Sequence, residues 1–538
     1  MDKEVIVSLV SATLLSVTPL LQVLSLAQAA SKNVSRQEAQ RSTDVSRPIG
    51  SSPHTAPGQP RRALAQAQGR QPQEPRPLQR QNSQLSLTLE QSIDLALQRN
   101  LPLQIATLFR DAVAYEVPRA QALFHPTVGT SFFASGEKLR PELAPAVNTN
   151  TQRVSPFISQ LVPTGARVIV SNEFTRQETA HEEPPRTFDS AVTVRVVQPL
   201  LRGGWLTVTT RPIQDAEYGL RIEEARLRAE ILRIVALAKT NYYTAILQEQ
   251  IITITEEAIQ RDKRLIEASQ ALFRGGLVTR RDVLSAEILL SKDLARLASA
   301  QANLAVTKNA LLDVLGIAIA TDVDLLDKDL SFQPLLLEPE LARWIAAAIS
   351  QRPEVLEVEE RLGQSQLNIQ VARNTTLPQL DLAVSYGRPH TASTLGRSLE
   401  FRGETWSAEL VASVPIGNVA ARSALIQAEI QRKRIQQELG QVQRQIELQV
   451  RTAVITLHRS VELRRVRSLS IEQLQGKLEV AQARFALGQA DNKDITDAQD
   501  DLLEAQTDLL RAMADYKIGL AELEASIAGP VTSSGAPR

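Results

Sequence analysis

QALFRGGLVTRRDVLSAEILLSKDLARL, residues 270–297, returns without a gap as QARFALGQADNKDITDAQDDLLEAQTDL at residues 482–509. Gln270, Ala271, Phe273, Gly276, Asp282, Ala286, Leu290 and Leu297 match Gln482, Ala483, Phe485, Gly488, Asp494, Ala498, Leu502 and Leu509. In both copies a periodic apolar segment runs up to a glycine, and an Asp precedes a second periodic segment. Glycine just past a helix takes the left-handed conformation that ends it. Asp near the start of the next helix accepts its free amide hydrogens and complements its dipole. Each stretch therefore reads as the tip of an antiparallel helical hairpin, tip 273–282 in the first copy and tip 485–494 in the second. The ungapped match predicts an internal two-fold repeat.

Working outward, the chain has 538 residues, no cysteine, zero formal net charge and 4 % aromatics. Scarce aromatics with helical periodicity point to long packed helices. Balanced charge gives no footprint for nucleic acid. The lack of cysteine removes disulfides, thiolate metal sites and cysteine nucleophiles. The five histidines lack paired ligand spacing, so neither a metal site nor a cofactor is expected. Arg202-Gly203-Gly204 lacks the Lys-Ser or Lys-Thr of a phosphate loop and reads as a turn. No enzyme is expected.

At the N-terminus, Lys3 precedes an apolar run from Val5 to Leu26, and Ala27-Gln28-Ala29 is a small-x-small cleavage pattern. Residues 1–29 are expected to be a signal peptide; a membrane anchor is the alternative. Residues 30–86 are Pro-, Gln-, Ser- and Arg-rich and are expected to be a disordered linker.

The first repeat spans 87–316. A helix broken or bent near Pro102 runs to about Leu123. Region 126–198 is expected to hold strands. Phe188, Ser190, Val192, Val194 and Val196 alternate with Asp189, Ala191, Thr193, Arg195 and Val197, a period of two. Val128–Ser135 and Arg167–Thr175 alternate more weakly. From Pro212 to about Phe273 the period is helical, with Ile231, Val235, Ala238, Tyr242 and Ala245 spaced as in a coiled coil. An irregular connector, 317–338, leads to the second repeat, 339–528. There a helix at 341–374, strands within 378–415, a long helix at 419–485 and a last helix at 491–527 repeat the plan. Residues 529–538 are expected to be a flexible tail.

Lengths set the architecture. At about 1.5 Å per residue the two long helices reach roughly 90–100 Å and the four shorter ones roughly 50–55 Å. Two short helices laid end to end match one long one, giving a rod with strands at one end and glycine tips at the other. About two long strands per repeat give about four per chain. A membrane sheet must close, because lipid cannot satisfy edge amides. Closure takes at least about eight strands, so several chains must share one barrel. Three would supply about twelve strands. The fold class is thus mainly α with a membrane β-barrel portion.

Several stretches resemble the TolC-type outer-membrane efflux protein family. They are the opening LTLEQSIDLALQRN (87–100), Leu123-Phe124-His125-Pro126, Thr376-Leu377-Pro378, and the two tips. Phe273, Gly276 and Asp282-Val283-Leu284-Ser285-Ala286-Glu287 fit the family's tip pattern. The resemblance implies a homotrimer with a twelve-stranded barrel in outer-membrane lipid above a periplasmic helical tunnel. It implies an exit duct of tripartite efflux or type I secretion, served by an inner-membrane pump of RND or ABC type through a periplasmic adaptor (membrane fusion) protein. Adaptor docking carries over to Gly276, Leu277 and Val278 and to Gly488, Gln489 and Ala490. Local packing across the turn is the other account of Leu277 and Val278. Asp494 and Asp497 hold the family's constriction-ring positions, with ordinary helix-start charges as the alternative. Phe485 replaces the family's hydroxyl-bearing aromatic and Ala490 its Arg, so the closed-state lock differs; Asn492 or Lys493 would have to serve. A periplasmic coiled-coil scaffold without a pore competes with this reading but leaves the two-faced strands unexplained.

Overall fold

The structure, a computed structural model, describes residues 85–139, 147–179, 186–332, 341–487, 489 and 491–529. The signal-peptide expectation, nearly all of the linker, Gly488, Ala490 and tail residues 530–538 lie outside the described residues.

The first half opens with β1 (Leu85–Leu87), then α1 (Leu89–Arg99), α2 (Leu101–Ala114) and α3 (Glu116–Gln121). Four strands follow: β2 (Thr127–Leu139), β3 (Val147–Leu161), β4 (Arg167–Thr179) and β5 (Arg186–Pro199). Next come the 64-residue α4 (Arg211–Arg274), α5 (Arg280–Val314) and β6 (Val323–Leu325). The second half holds α6 (Leu341–Gln351), α7 (Pro353–Thr375), β7 (Gln379–Ala392), β8 (Thr405–Ser413), the 68-residue α8 (Val419–Ala486) and α9 (Asn492–Ser526). At 1.5 Å per residue α4 and α8 are each about 100 Å long.

Local chemistry sets the breaks. Thr88 caps α1 in a capping box with Gln91. Asn100 ends α1 and caps α2, accepting from the Leu103 amide, with Pro102 in the first turn. The expected single helix over 341–374 is two, because Pro353 disfavours helical geometry at Arg352 and then starts α7.

The helices lie in open rows. Near the sheet the packing order is α2, α4, α7, α8; toward the tips it is α5, α4, α9, α8. The outermost helices of a row do not pack on each other, so each row has two free sides. Cores sit between neighbours: Ile234, Tyr242, Leu311, Leu315 and Leu325 form one cluster, and Trp344, Val450, Leu457, Tyr516 and Leu523 another. The C-terminal end of α5 abuts the α1–α2 break, where Asn100 Nδ2 donates to the Val314 carbonyl at 2.9 Å. Gly316 turns there at φ +65°, and a Cβ on it would sit 2.3 Å from the Arg99 oxygen.

Two expectations need correction. The linker is expected to be disordered and the connector irregular, but β1, at the linker's end, and β6, within the connector, pair in parallel, Leu85 to Val323 through Leu87 to Leu325. Three residues are too few for a period to show, and the partner lies far away in sequence. Among the described residues the sheet has six strands, not about four, in the order β2-β3-β4-β5-β7-β8. The strand missed is β3, whose Pro156 and run of Asn, Thr, Gln and Arg hide its alternation.

Candidate functional site: the sheet wall and the helical tips

Every pairing in this sheet is antiparallel. Its register sorts side chains onto two unlike faces, because directly paired residues share a face. One row runs Val128, Ile158, Val170, Val194, Tyr386, Trp406 across all six strands. Val128, Tyr386 and Trp406 in it are 75 %, 48 % and 77 % exposed. A second row on the same face begins Phe132, Val154 and Phe174 and runs on to Ser190 and His390. The opposite face carries Ser159, Ile169, Arg195, Ser385 and Ser407 in one row and Phe133, Arg153, Thr175, Asp189 and Thr391 in another, polar at all but Ile169 and Phe133. Polar groups there satisfy each other: Arg153 pairs with Glu173 at 3.0 Å, and the Ser385 and Ser407 hydroxyls bond at 2.7 Å.

All four helix connections leave one end of the sheet, beside Thr127, Pro199, Gln379 and Ser413. The only strand-to-strand turn at that end, Val162–Ala166, is short, with its Gly165 at φ +91°. The connections at the other end are longer. Short turns on one side and long loops on the other is the plan of outer-membrane barrels. The sheet's free edges are β2 and β8.

At the far end of the helices, the two hairpin tips pack on one another. Leu265, Ala286, Leu478, Ala481, Phe485, Ile495, Ala498 and Leu502 make their shared core. Asp282 is 5 % exposed and accepts from both the amide and the hydroxyl of Thr279, at 2.8 and 2.6 Å. These bonds hold its carboxyl below the usual range against the cost of burial. Its counterpart Asp494 is exposed, and so is Asp497. On that turn the inward positions belong to Asn492, Ile495, Thr496, Ala498 and Gln499. Asp494 and Asp497 thus point away from their own chain's packing. Asn492, fully buried, ties the tips together: its Nδ2 donates to Ser269 Oγ at 3.0 Å and to the Asp282 carbonyl at 2.6 Å. Arg281 and Asp491 add an exposed pair at 2.8 Å. Sequence reading weighed Asn492 only as a lock residue; no periodicity singles out a polar side chain filling a helix–helix gap.

The docking expectations divide. Gly276 has φ +77°, and open space surrounds its Cα. Leu277 is 70 % exposed, whereas Val278 is half-buried against the tip core. Val278 thus contributes to the packing of the tip. Phe273 is 45 % exposed. Phe485 is buried in the shared core. Gln489 is exposed, its amide donating to the Arg484 carbonyl.

A charged cluster missed by sequence reading lies behind the tips. Asp262 of α4 and Asp293 of α5 are 1 % and 2 % exposed. Arg296 bonds Asp293 at 2.9 Å and Asp500 of α9 at 2.7 Å, and Lys292 also holds Asp500. Asp262 Oδ2 has no hydrogen-bond partner among the described residues.

These features match known proteins. The outer membrane efflux protein family model matches residues 92–317 and again 344–529, and the chain belongs to that family. The chain is 30 % identical over 199 residues to Protein CyaE of Bordetella pertussis, an alignment covering 36 % of this chain and 40 % of that relative. Among solved structures it resembles CusC, described with transmembrane channel formation, at TM-score 0.61 and 16 % identity over 82 % of this chain and 91 % of that one. It resembles the open-state MtrE outer membrane channel of Neisseria gonorrhoeae at TM-score 0.59 and 18 % identity, over 82 % and 89 %. The family and these structural neighbours are channels, not enzymes.

Proposed function

We propose that this chain is one protomer of a homotrimeric exit duct. Its strands close a barrel in the outer membrane and its helices form a tunnel in the periplasm. The observation that carries this is the alignment of free sides. The β2 edge continues into α2, which exposes Leu101, Ile105, Leu108 and Phe109. The β8 edge continues into α8, which exposes Ile426, Ile430, Leu448 and Ile455. Sheet and helical rows are therefore unfinished on the same two sides, and those sides differ. Unlike sides joining head to tail generate a ring. A pore-free periplasmic scaffold would leave the six-strand apolar row facing water, which is the reason for setting it aside.

The duct is passive. An inner-membrane pump of RND or ABC type loads it through a periplasmic adaptor, which docks on the exposed tip around Gly276 and Leu277 and the second tip around Gln489. The two halves, which share one element order, act as repeats that give each ring level four helix positions per chain. Asp494 and Asp497, one helical turn apart, form a carboxylate ring at the entrance. Detergent-purified protein should crosslink as a trimer and conduct ions in planar bilayers. Protein that is monomeric without detergent, over electrically silent bilayers, would end this reading.

A further inference from the structure

Six sheet strands stand over a row of four helices, and the surplus lies in one place. β2, β5, β7 and β8 each continue into a helix of the row, in the same lateral order as α2, α4, α7 and α8. The β3–β4 hairpin, 147–179, has no helix beneath it and sits between β2 and β5. Yet it is a full member of the wall. Its strands are 15 and 13 residues long, above the roughly 9–11 needed to cross a bilayer at a tilt. Ile158 and Val170 carry the apolar row across it, while Ser159 and Ser171 take the polar face. Arg153 and Glu173 pair on that polar face.

Geometry gives the hairpin a purpose. Four packed helices at about 9 Å spacing span roughly 36 Å of circumference. Strands about 4.8 Å apart and tilted about 40° occupy roughly 6.3 Å each, so four would span only about 25 Å and six about 38 Å. At that tilt six strands match the helical row beneath, whereas four would match it only at a much steeper tilt of about 58°.

We infer that the β3–β4 hairpin widens the shared barrel to six strands per copy, eighteen in the trimer, so that the lumen at membrane level is as wide as the helical tunnel. This rests on the trimeric channel reading above. The second copy supplies the closing edge: β8 and β2 run in opposite directions, so β8 of one copy meets β2 of the next as an antiparallel pair. Barrels of sixteen to eighteen strands enclose a water-filled channel. The cargo class this admits is large and water-solvated rather than a single small apolar solute, and Arg153, Glu173, Ser159 and Arg195 of the polar face line its path.

Because the chain has no cysteine, spin labels can be placed singly in the full protein. Labels at Ile158→Cys and Val170→Cys should collide with oxygen dissolved in lipid. Those at Ser159→Cys and Ser171→Cys should collide with a water-soluble nickel chelate, with each preference at least about five-fold. Cryo-electron microscopy of the trimer in nanodiscs should count eighteen strands in the wall. Equal accessibility on both faces, or a trimer with twelve strands and the hairpin outside the wall, would overturn the inference while leaving the channel reading intact. Failure to form a trimer or to insert into bilayers would overturn both, and the wild-type protein alone distinguishes the cases.

Discussion

Asp262 is the residue whose chemistry departs furthest from that of an ordinary surface carboxylate. Burial, with Asp293 alongside, pushes its carboxyl up to about 7, against the opposing pull of Arg261 and Arg296. The folded chain therefore keeps a proton that the unfolded chain releases near its ordinary value of 3.8. Proton linkage fixes the sign: this group favours the folded state fully below about pH 4, and that contribution is lost as pH rises through about 7. Asp262→Asn cannot titrate. Between pH 4 and 8 the Tm of the wild type should fall relative to that of the variant, and parallel curves would contradict the assignment. Asn492 offers a second test at this scale. Removing a buried donor that serves two acceptors costs about 1–3 kcal/mol. Asn492→Ala should speed amide exchange in both tips, 265–285 and 491–500, while the sheet stays protected. Exchange confined to one tip would show that Asn492 does not couple them.

Elements are set by their ends more than by their middles. The apolar stripe of each long helix shifts along its length, since each touches different neighbours near the sheet and near the tips. Their joints are specific. At the α5 terminus, Gly316 combines a left-handed backbone with contact against the Arg99 carbonyl. An added Cβ meets backbone rather than a movable side chain. Gly316→Ala should destabilise the protein by more than about 1 kcal/mol, read as a lower Tm. Gly476→Ala, in open space within α8, should raise or preserve Tm as helix propensity dictates. If both variants behaved alike, the joint would not be constrained as described.

For the whole molecule, the proposed duct makes its entrance and its tips the places to test. Asp494→Ala with Asp497→Ala removes six carboxylates from a trimer's entrance. Block of single-channel current by divalent or trivalent cations should weaken at least about ten-fold, because clustered charges bind cations far more strongly than one. Unchanged block would show that these carboxylates are ordinary helix-start charges. Leu277→Asp places charge on the exposed tip without touching the tip core, so adaptor co-purification should drop while the trimer persists. Val278→Asp, in contrast, should also loosen the tip core. Retained adaptor binding by Leu277→Asp would remove docking from that tip.

What the residues alone determined is whatever repeats with a period. Helical spacing over 212–273 and 419–485 located α4 and α8 to within about two residues, and matching tips located the hairpin turns. Alternation over 188–197 and 380–386 located β5 and β7. These signals survive because burial on one face repeats at every turn or every second residue, whatever lies opposite. Contacts between distant segments decided the rest. The β1–β6 pair, the β3 strand, the Asn492 bridge and the Asp262–Asp293 cluster each depend on a partner brought in from elsewhere in the chain. One residue, or three, carries no period. Val278 and Phe485 make the same point from the other side: the core that takes them up exists only once the two tips meet.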